Sequence, residues 1–169
     1  NKQTAALWVV DVATRATKLI APNVIPGRFL PNGALLFGAI EFAGSPPKIR
    51  LNIAKPGAWT AKKMGPVLTY EAMLDSPAVS PDHKRVLAID FSQSSPNDTL
   101  YVVRLDGTGH TKIAGDLRTS VSGWGIPPLF SGDGARVIYA RATGELVSAP
   151  VSGGKPVSVR GTGFLQQVQ

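Results

Sequence analysis

Cysteine is absent from the 169 residues. Disulfide bonds, thiolate metal sites and cysteine nucleophiles are therefore excluded for this chain. Long apolar runs are absent as well, because the longest, residues 34–40, ends at Glu41 and is far too short to cross a bilayer. We therefore expect no membrane insertion. Since the chain starts abruptly, any targeting segment would lie upstream of it.

Concentrated positive charge is also missing, although the net charge is +7, from 18 Lys and Arg against 11 Asp and Glu. The densest points are only two pairs, Lys62-Lys63 and Lys84-Arg85. No Arg-rich helix, aromatic RNA-binding signature or zinc-finger spacing accompanies them. The charge pattern therefore predicts a basic solvated surface and argues against nucleic acid as the partner. A carbohydrate- or nucleic-acid-binding surface is the weakest of the alternatives.

Glycine (18) and proline (14) recur at short intervals, which indicates many short strands joined by turns. An internal repeat accompanies them. The segment SPDHKRVLA at residues 80–88 aligns with SGDGARVIY at residues 131–139, at a spacing of 51 positions from Ser80 to Ser131. A weaker copy, LPNGALLF, occupies residues 30–37. Repeats of about 50 residues are typical of β-propellers and solenoids.

A second element recurs in step with the first. Its copies are LWVVDVAT at residues 7–14, KIRLNIA at 48–54, LYVVRLDG at 100–107 and ELVSAPVSGG at 145–154. Each unit therefore reads strand, turn, strand, loop, strand, turn, strand, which is the size of one propeller blade. We predict an all-β chain, 1–169, that forms one partial propeller domain of about three and a half four-stranded antiparallel blades. The predicted units are a half-blade at 5–20 and blades at about 24–64, 76–115 and 124–160.

The second strand of the best copy is apolar on both faces. Val86 and Ala88 point to one side, whereas Leu87, Ile89 and Phe91 point to the other, because side chains alternate along a strand. A strand of this kind is expected in a blade that is wedged between two neighbouring blades.

The segment PAVSPDHKRV at residues 77–86, followed by LYVVRLDG, resembles the repeat of TolB-like propellers, P-x-x-S-P-D-G and then L-aromatic-apolar-x-D-x-x-G. His83 stands where that repeat usually has glycine, and Gly132 replaces the proline in the last copy. The resemblance implies a bacterial scaffold protein of the envelope, periplasmic or secreted, that binds other proteins. It is specific for the fold and not for the function, since similar blades cap prolyl-oligopeptidase-type hydrolases and are fused to bacterial kinases and regulators.

About three and a half blades do not close a ring, because propellers usually have about 4–8 blades. Three arrangements remain open. The chain is part of a longer protein, which we favour; or residues 164–168 join the half-blade at 5–20 in a four-bladed ring; or two copies share one ring. The remaining propeller segment or a second copy is therefore an expected partner.

No constellation of catalytic residues is found. A G-x-S-x-G nucleophile elbow is absent, and His83 and His110 fall in predicted turns without metal-ligand spacing. Asp82 and Asp133 occupy equivalent turns, where an aspartate side chain typically accepts backbone hydrogen bonds. We predict that the chain has no catalytic residue, no metal and no cofactor.

Two loops, residues 64–76 and 115–127, are longer than the repeat requires. Both join the outer strand of one blade to the inner strand of the next and are expected on the same face of the disc, where function tends to concentrate. Their candidate partner-binding residues are Tyr70, Glu71, Asp75, Arg118 and Trp124. The alternative for Trp124 is packing between blades. The sequence thus predicts a non-catalytic scaffold for protein–protein interaction; the alternative is the propeller portion of a larger hydrolase, kinase or regulator whose active residues lie outside this chain.

Overall fold

The computed structural model describes residues 5–42, 47–69, 78–91, 97–117 and 127–159. Within these ranges every regular element is a β-strand, and every strand pair is antiparallel. The predicted all-β class is therefore confirmed. The same ranges contain no helix with the length and apolar character needed to cross a membrane.

The first sheet contains five strands, each paired with its neighbour in chain order. They are β1 (Ala5–Val10), β2 (Thr17–Phe29), β3 (Leu35–Glu41), β4 (Lys48–Ala54) and β5 (Ala61–Thr69). Strand β2 pairs with β1 along its first half and with β3 along its second half, with an irregularity in register between Ile25 and Arg28. One long strand therefore joins the segment predicted as a half-blade to the blade that follows it.

The second and third sheets are shorter. The second contains β6 (Arg85–Asp90), β7 (Asp98–Arg104) and β8 (His110–Leu117), and the third contains β9 (Leu129–Phe130), β10 (Arg136–Ala140), β11 (Leu146–Pro150) and β12 (Val157–Ser158). In the second sheet the first strand of the repeat is represented by a single bridge between Val79 and Val86. The strand–turn–strand order of the repeat is preserved in both sheets.

Strand β6 is buried on both faces, as its alternation predicted. Val86 and Ala88 belong to an apolar cluster between the first and second sheets, together with Ile49 and Leu51 of β4. Leu87 belongs to a separate cluster between the second and third sheets, which includes Tyr139 and Val147. The three sheets therefore pack face to face like consecutive blades.

The opposite face of the first sheet has its own cluster. Leu35 and Phe37 of β3 pack there with Ala21 and Val24 of β2, and Leu7 of β1 adds to them. Phe37 is only 1% exposed. The β1–β2 hairpin therefore covers the face of β3 that points away from the second sheet.

Polar contacts tie consecutive sheets together at one repeated position, occupied by Asp90 in the second sheet and by Arg141 after β10 in the third. Asp90 Oδ1 accepts from the Thr69 amide at 2.7 Å, while Arg141 Nε lies 2.8 Å from Asp116 Oδ2, at an angle outside hydrogen-bond geometry. Beside that ion pair, the Ala142 amide donates to the Asp116 carbonyl at 2.7 Å. The repeat thus supplies a blade-to-blade joint at the ends of the strands as well as the apolar cores.

Candidate binding cleft on the turn face

The turn between the first two strands of each blade has the same hydrogen bonds in successive copies. In the second blade, Ser80 Oγ accepts from the Arg85 amide at 2.9 Å, and Asp82 Oδ1 accepts from Ser80 Oγ at 2.5 Å and from the Lys84 amide at 3.1 Å. In the third blade, Asp133 Oδ1 accepts from Ser131 Oγ at 2.6 Å. The predicted turn-stabilising role of the two aspartates is confirmed.

His83 occupies a left-handed position in this turn, with φ of 54°. The equivalent residues in the other two copies are Gly33 and Gly134, with φ of 76° and 67°. Glycine adopts this conformation without steric cost, whereas histidine does so less readily. The turn therefore places an exposed histidine side chain where the other blades have none.

The copies of this turn in the first and second blades line a cleft of about 830 Å³, together with residues at the turns that follow β4, β7 and β11; we call it the turn-face cleft. It lies at the ends of the strands opposite to Thr69 and Leu117, since the lining residues come from the hairpin turns and the adjoining strand ends. They are Asn32, Ile53, Lys55, Asp82, His83, Lys84, Arg85, Val102, Arg104, Leu105, Asp106, Thr111, Val151 and Ser152. The cleft is therefore assembled from three consecutive blades.

The charged side chains in the cleft leave an excess of positive charge, four cations against two carboxylates. Each carboxylate is paired within its own turn, Asp82 with Arg85 at 2.8 Å and Asp106 with Arg104 at 3.0 Å. The other two cations are Lys55 and Lys84, for which the described part of the chain provides no ion-pair partner. An anionic group entering the cleft would meet ammonium groups from two different blades.

The carboxylates are fixed as hydrogen-bond acceptors. The hydroxyl of Ser80, together with the Lys84 amide and Arg85, lowers the pKa of Asp82 from 3.8 to about 2, against a smaller opposing effect of burial. Hydrogen bonds from Thr108 and Arg104 hold the pKa of Asp106 well below its usual range. Both groups are ionised at neutral pH, and neither has the pKa near 7 that suits a general acid or base.

A smaller pocket of about 500 Å³ adjoins the cleft, and we call it the side pocket. It shares Ile53, Lys55, Leu105 and Asp106 with the turn-face cleft, and its other lining residues are Ala58, Thr60, Ala61 and Lys62. Lys62 Nζ crosses from the first blade to donate to the Asp106 carbonyl at 2.6 Å. The two pockets therefore meet at the junction of the first and second blades.

The residues predicted to bind a partner, Tyr70, Glu71, Asp75, Arg118 and Trp124, lie outside the described residues, so their role stays a prediction. Sequence reasoning missed the cleft because it assigned the hairpin turns to the scaffold alone. A signal was available. Lys84 aligns with Ala34 and Ala135 in the other copies, so the turn itself does not require a cation there. The two basic pairs noted in the sequence contribute Lys62, Lys84 and Arg85 to these pockets.

The histidines are separated in the structure. His83 lines the cleft, whereas His110 begins β8 and contacts the ring of Tyr101 edge-on, with centroids 5.7 Å apart. Among the described residues, no three His, Cys, Asp or Glu side chains come close enough together to hold a metal ion.

Acid should weaken the turn of the second blade. The folded pKa of Asp82 lies below its ordinary value, so its contribution to stability is present above about pH 4 and is lost as the pH falls towards about 2. Asp82→Asn should fold, because Asn32 already supplies the equivalent acceptor in the first blade, where the Ala34 amide donates to Asn32 Oδ1 at 3.1 Å. Urea unfolding of both proteins from pH 2 to 7 should show a stability difference at pH 6 that shrinks at pH 2. A difference that is constant with pH would contradict this role.

Comparison with known proteins gives the fold. No protein-family model matches the sequence, and a search of curated proteins found no match. The chain is similar to the β-propeller domain of the trilobed protease from Pyrococcus furiosus, with 12% identity and a TM-score of 0.50 over 81% of this chain and 42% of that chain. It is also similar to hydrazine synthase from Kuenenia stuttgartiensis, with 14% identity and a TM-score of 0.44 over 86% of this chain and 48% of that chain. The chain spans less than half of either protein chain, and the first similarity shows a β-propeller fold.

Proposed function

We propose that this chain is a non-catalytic β-propeller scaffold that binds a protein partner in the turn-face cleft. The observation that carries the proposal is the pair of lysines, Lys55 and Lys84, that two different blades contribute to one cleft in which both carboxylates are already neutralised. Oppositely charged surfaces steer partners together and fix their orientation. The surface of the partner that enters the cleft would therefore carry carboxylates.

The repeat supports a binding role for these lysines. Residues that recur in every copy serve the blade, as the aspartate of the turn does, whereas a binding residue is needed at one place only. Lys84 aligns with alanine in both other copies, and Lys55 aligns with Leu105 and Val151. Exposed side chains on a rigid turn are well placed for recognition.

The lining residues support a non-catalytic role. His83 makes no side-chain hydrogen bond to a hydroxyl or carboxylate among the described residues, so no nucleophile and base are paired through it. Asp82 and Asp106 are committed to their turns. Binding is therefore the function that this arrangement supports best.

The resemblance of residues 77–107 to the repeat of TolB-like propellers supports our proposal of a bacterial envelope location, periplasmic or extracellular. The predicted residues Tyr70, Arg118 and Trp124 would then form a second contact region, since the strands that precede Tyr70 and Arg118 end away from the cleft. Completion of the ring would require the remaining propeller segment or a second copy of the chain.

The alternative function is the propeller portion of a larger enzyme or sensor. The observation in its favour is that the chain covers 42% of a propeller domain that belongs to a protease. The sequence that flanks this segment in its gene distinguishes the two functions. A neighbouring G-x-S-x-G hydrolase segment or kinase glycine loop would favour the larger enzyme, whereas blades alone would favour the scaffold.

Binding through the cleft can be tested with an array of random peptides probed with the labelled protein. The double variant Lys55→Glu/Lys84→Glu should lose about tenfold or more of the signal, because it replaces attraction by repulsion, and each tenfold corresponds to about 1.4 kcal/mol. The matched control is Lys48→Glu/Lys112→Glu, which changes the net charge equally on exposed strand positions outside the cleft. Equal signals from both double variants, or no peptide binding by the unchanged protein, would refute the proposal.

A further inference from the structure

We infer that the partner segment combines an acidic side chain with a neighbouring apolar side chain, the first held in the turn-face cleft and the second in the side pocket. This inference rests on the proposed function and specifies its ligand class. The two pockets share Ile53, Lys55, Leu105 and Asp106, so a single short segment can occupy both.

The side pocket is suited to an apolar group because two of its polar residues, Lys62 and Asp106, already have partners, while Lys55 lines both pockets. Lys62 Nζ donates to the Asp106 carbonyl at 2.6 Å, and the Asp106 carboxylate accepts from Arg104 at 3.0 Å and from Thr108 Oγ1 at 2.6 Å. An apolar side chain that enters leaves none of these groups unsatisfied. Ala58 and Ala61, which are exposed and half-buried, supply apolar surface to contact it, above the buried side chains of Ile53 and Leu105.

The turn-face cleft is suited to the carboxylate. Lys84 lines only the cleft, whereas Lys55 lines both pockets, so the positive charge extends to their boundary. Side chains at alternate positions of an extended peptide project to the same side, about 7 Å apart. A segment with glutamate and leucine two positions apart would therefore place one side chain in each pocket.

Fluorescence anisotropy with three labelled ten-residue peptides tests the pairing. The first peptide carries glutamate and leucine two positions apart, the second has that leucine replaced by alanine, and the third has the glutamate replaced by glutamine. The unchanged protein should bind the first most tightly, with affinity reduced about tenfold for either replacement, since burial of a leucine and one charged contact are each worth roughly this much.

Variants locate each half of the peptide. Ala58→Trp fills the side pocket from an exposed turn position and should remove the preference for leucine over alanine, measured as the ratio of the two affinities. Thr60→Glu brings a negative charge to the same pocket. It should also remove the preference for leucine, while it weakens both peptides by repelling their glutamate, and it guards against a folding defect in Ala58→Trp. The control is Ala13→Trp, an exposed alanine in the β1–β2 turn outside both pockets, which should preserve the full preference.

The outcomes separate this inference from the proposed function. If the leucine and alanine peptides bind the unchanged protein equally, and Lys55→Glu/Lys84→Glu weakens both, the cleft binds an acidic segment but the side pocket has no part, and the inference is overturned. If peptide binding does not depend on Lys55 and Lys84, both the proposed function and this inference are wrong. A leucine preference that Ala58→Trp and Thr60→Glu both remove establishes the pairing.

Discussion

Gly27→Ala is expected to lower the free energy of unfolding by more than about 3 kcal/mol, because the first sheet has no room for a methyl group at this position. A Cβ on Gly27 would lie 1.6 Å from the Leu36 carbonyl oxygen, 2.5 Å from its carbonyl carbon and 2.7 Å from the Phe37 Cα. All three atoms are backbone atoms of β3, so no change of rotamer relieves the overlap. Strand β3 would have to move away from β2, which would open the apolar clusters on both of its faces.

Two further glycines provide matched controls for urea unfolding monitored by circular dichroism. Gly132→Ala should change stability by less than about 0.5 kcal/mol, since a Cβ there meets nothing within 4 Å and the backbone is not left-handed. Gly57→Ala also meets nothing within 4 Å, but its φ of 85° should cost about 1 kcal/mol. The expected order of destabilisation is therefore Gly27, Gly57, Gly132. Equal stability of Gly27→Ala and Gly132→Ala would show that β2 and β3 do not pack this closely.

Gly27 also explains a difference between the sequence prediction and the structure. A Pro-Gly pair such as Pro26-Gly27 normally marks a turn or loop, and the sequence placed a unit boundary shortly before it. In the structure, the pair lies where the register of β2 and β3 shifts between Ile25 and Arg28. An irregularity of this kind bends a strand without ending it, so β2 continues through both units. Whether a Pro-Gly pair ends or bends a strand depends on how the neighbouring strand, here β3, pairs with it. The local sequence does not reveal that pairing.

The local features of the blade were predictable from the sequence. The alternation of Val86 with Leu87 placed them on opposite faces of β6, and the repeated aspartates located the turns. Both predictions follow from short-range rules, since side chains alternate along every strand and aspartate accepts hydrogen bonds from nearby amides. The spacing of Ser80 and Ser131 extended these rules to whole blades.

The turn-face cleft was not predictable in the same way, because it depends on how blades stack. Lys55 and Lys84 are distant in the sequence. They line the same cleft only because the turns of the first and second blades lie side by side. In the second blade, the turn at residues 80–85 has two roles, a structural one and a proposed binding one, and comparison of the repeats distinguishes them. Asp82 stabilises its backbone, which the repetition revealed, while Lys84 projects from it as an exception to the repetition.

Leu87→Ala is the substitution that tests blade stacking most directly. Leu87 is 3% exposed in the cluster between the second and third sheets, so its truncation should lower the free energy of unfolding by about 2–5 kcal/mol through lost burial and the cavity left behind. Leu19→Ala is the control, because Leu19 is 44% exposed on β2, and it should cost less than about 1 kcal/mol. Urea unfolding of the two variants measures the difference.

Hydrogen exchange distinguishes loss of stacking from general loss of stability. Leu87 contacts the cluster that includes Val137 and Val147, whereas Val86 points to the cluster that includes Ile49 and Leu51. Under native conditions, Leu87→Ala should accelerate exchange of amides in β10 and β11 more than in β4, and Val86→Ala should do the reverse, because local openings follow the weakened contacts. Uniform acceleration in both variants would mean that the blades open as one cooperative unit. The opposite pattern would mean that the two faces of β6 are exchanged relative to this structure. The orientation of the preceding turn, which carries Lys84, would then be wrong as well.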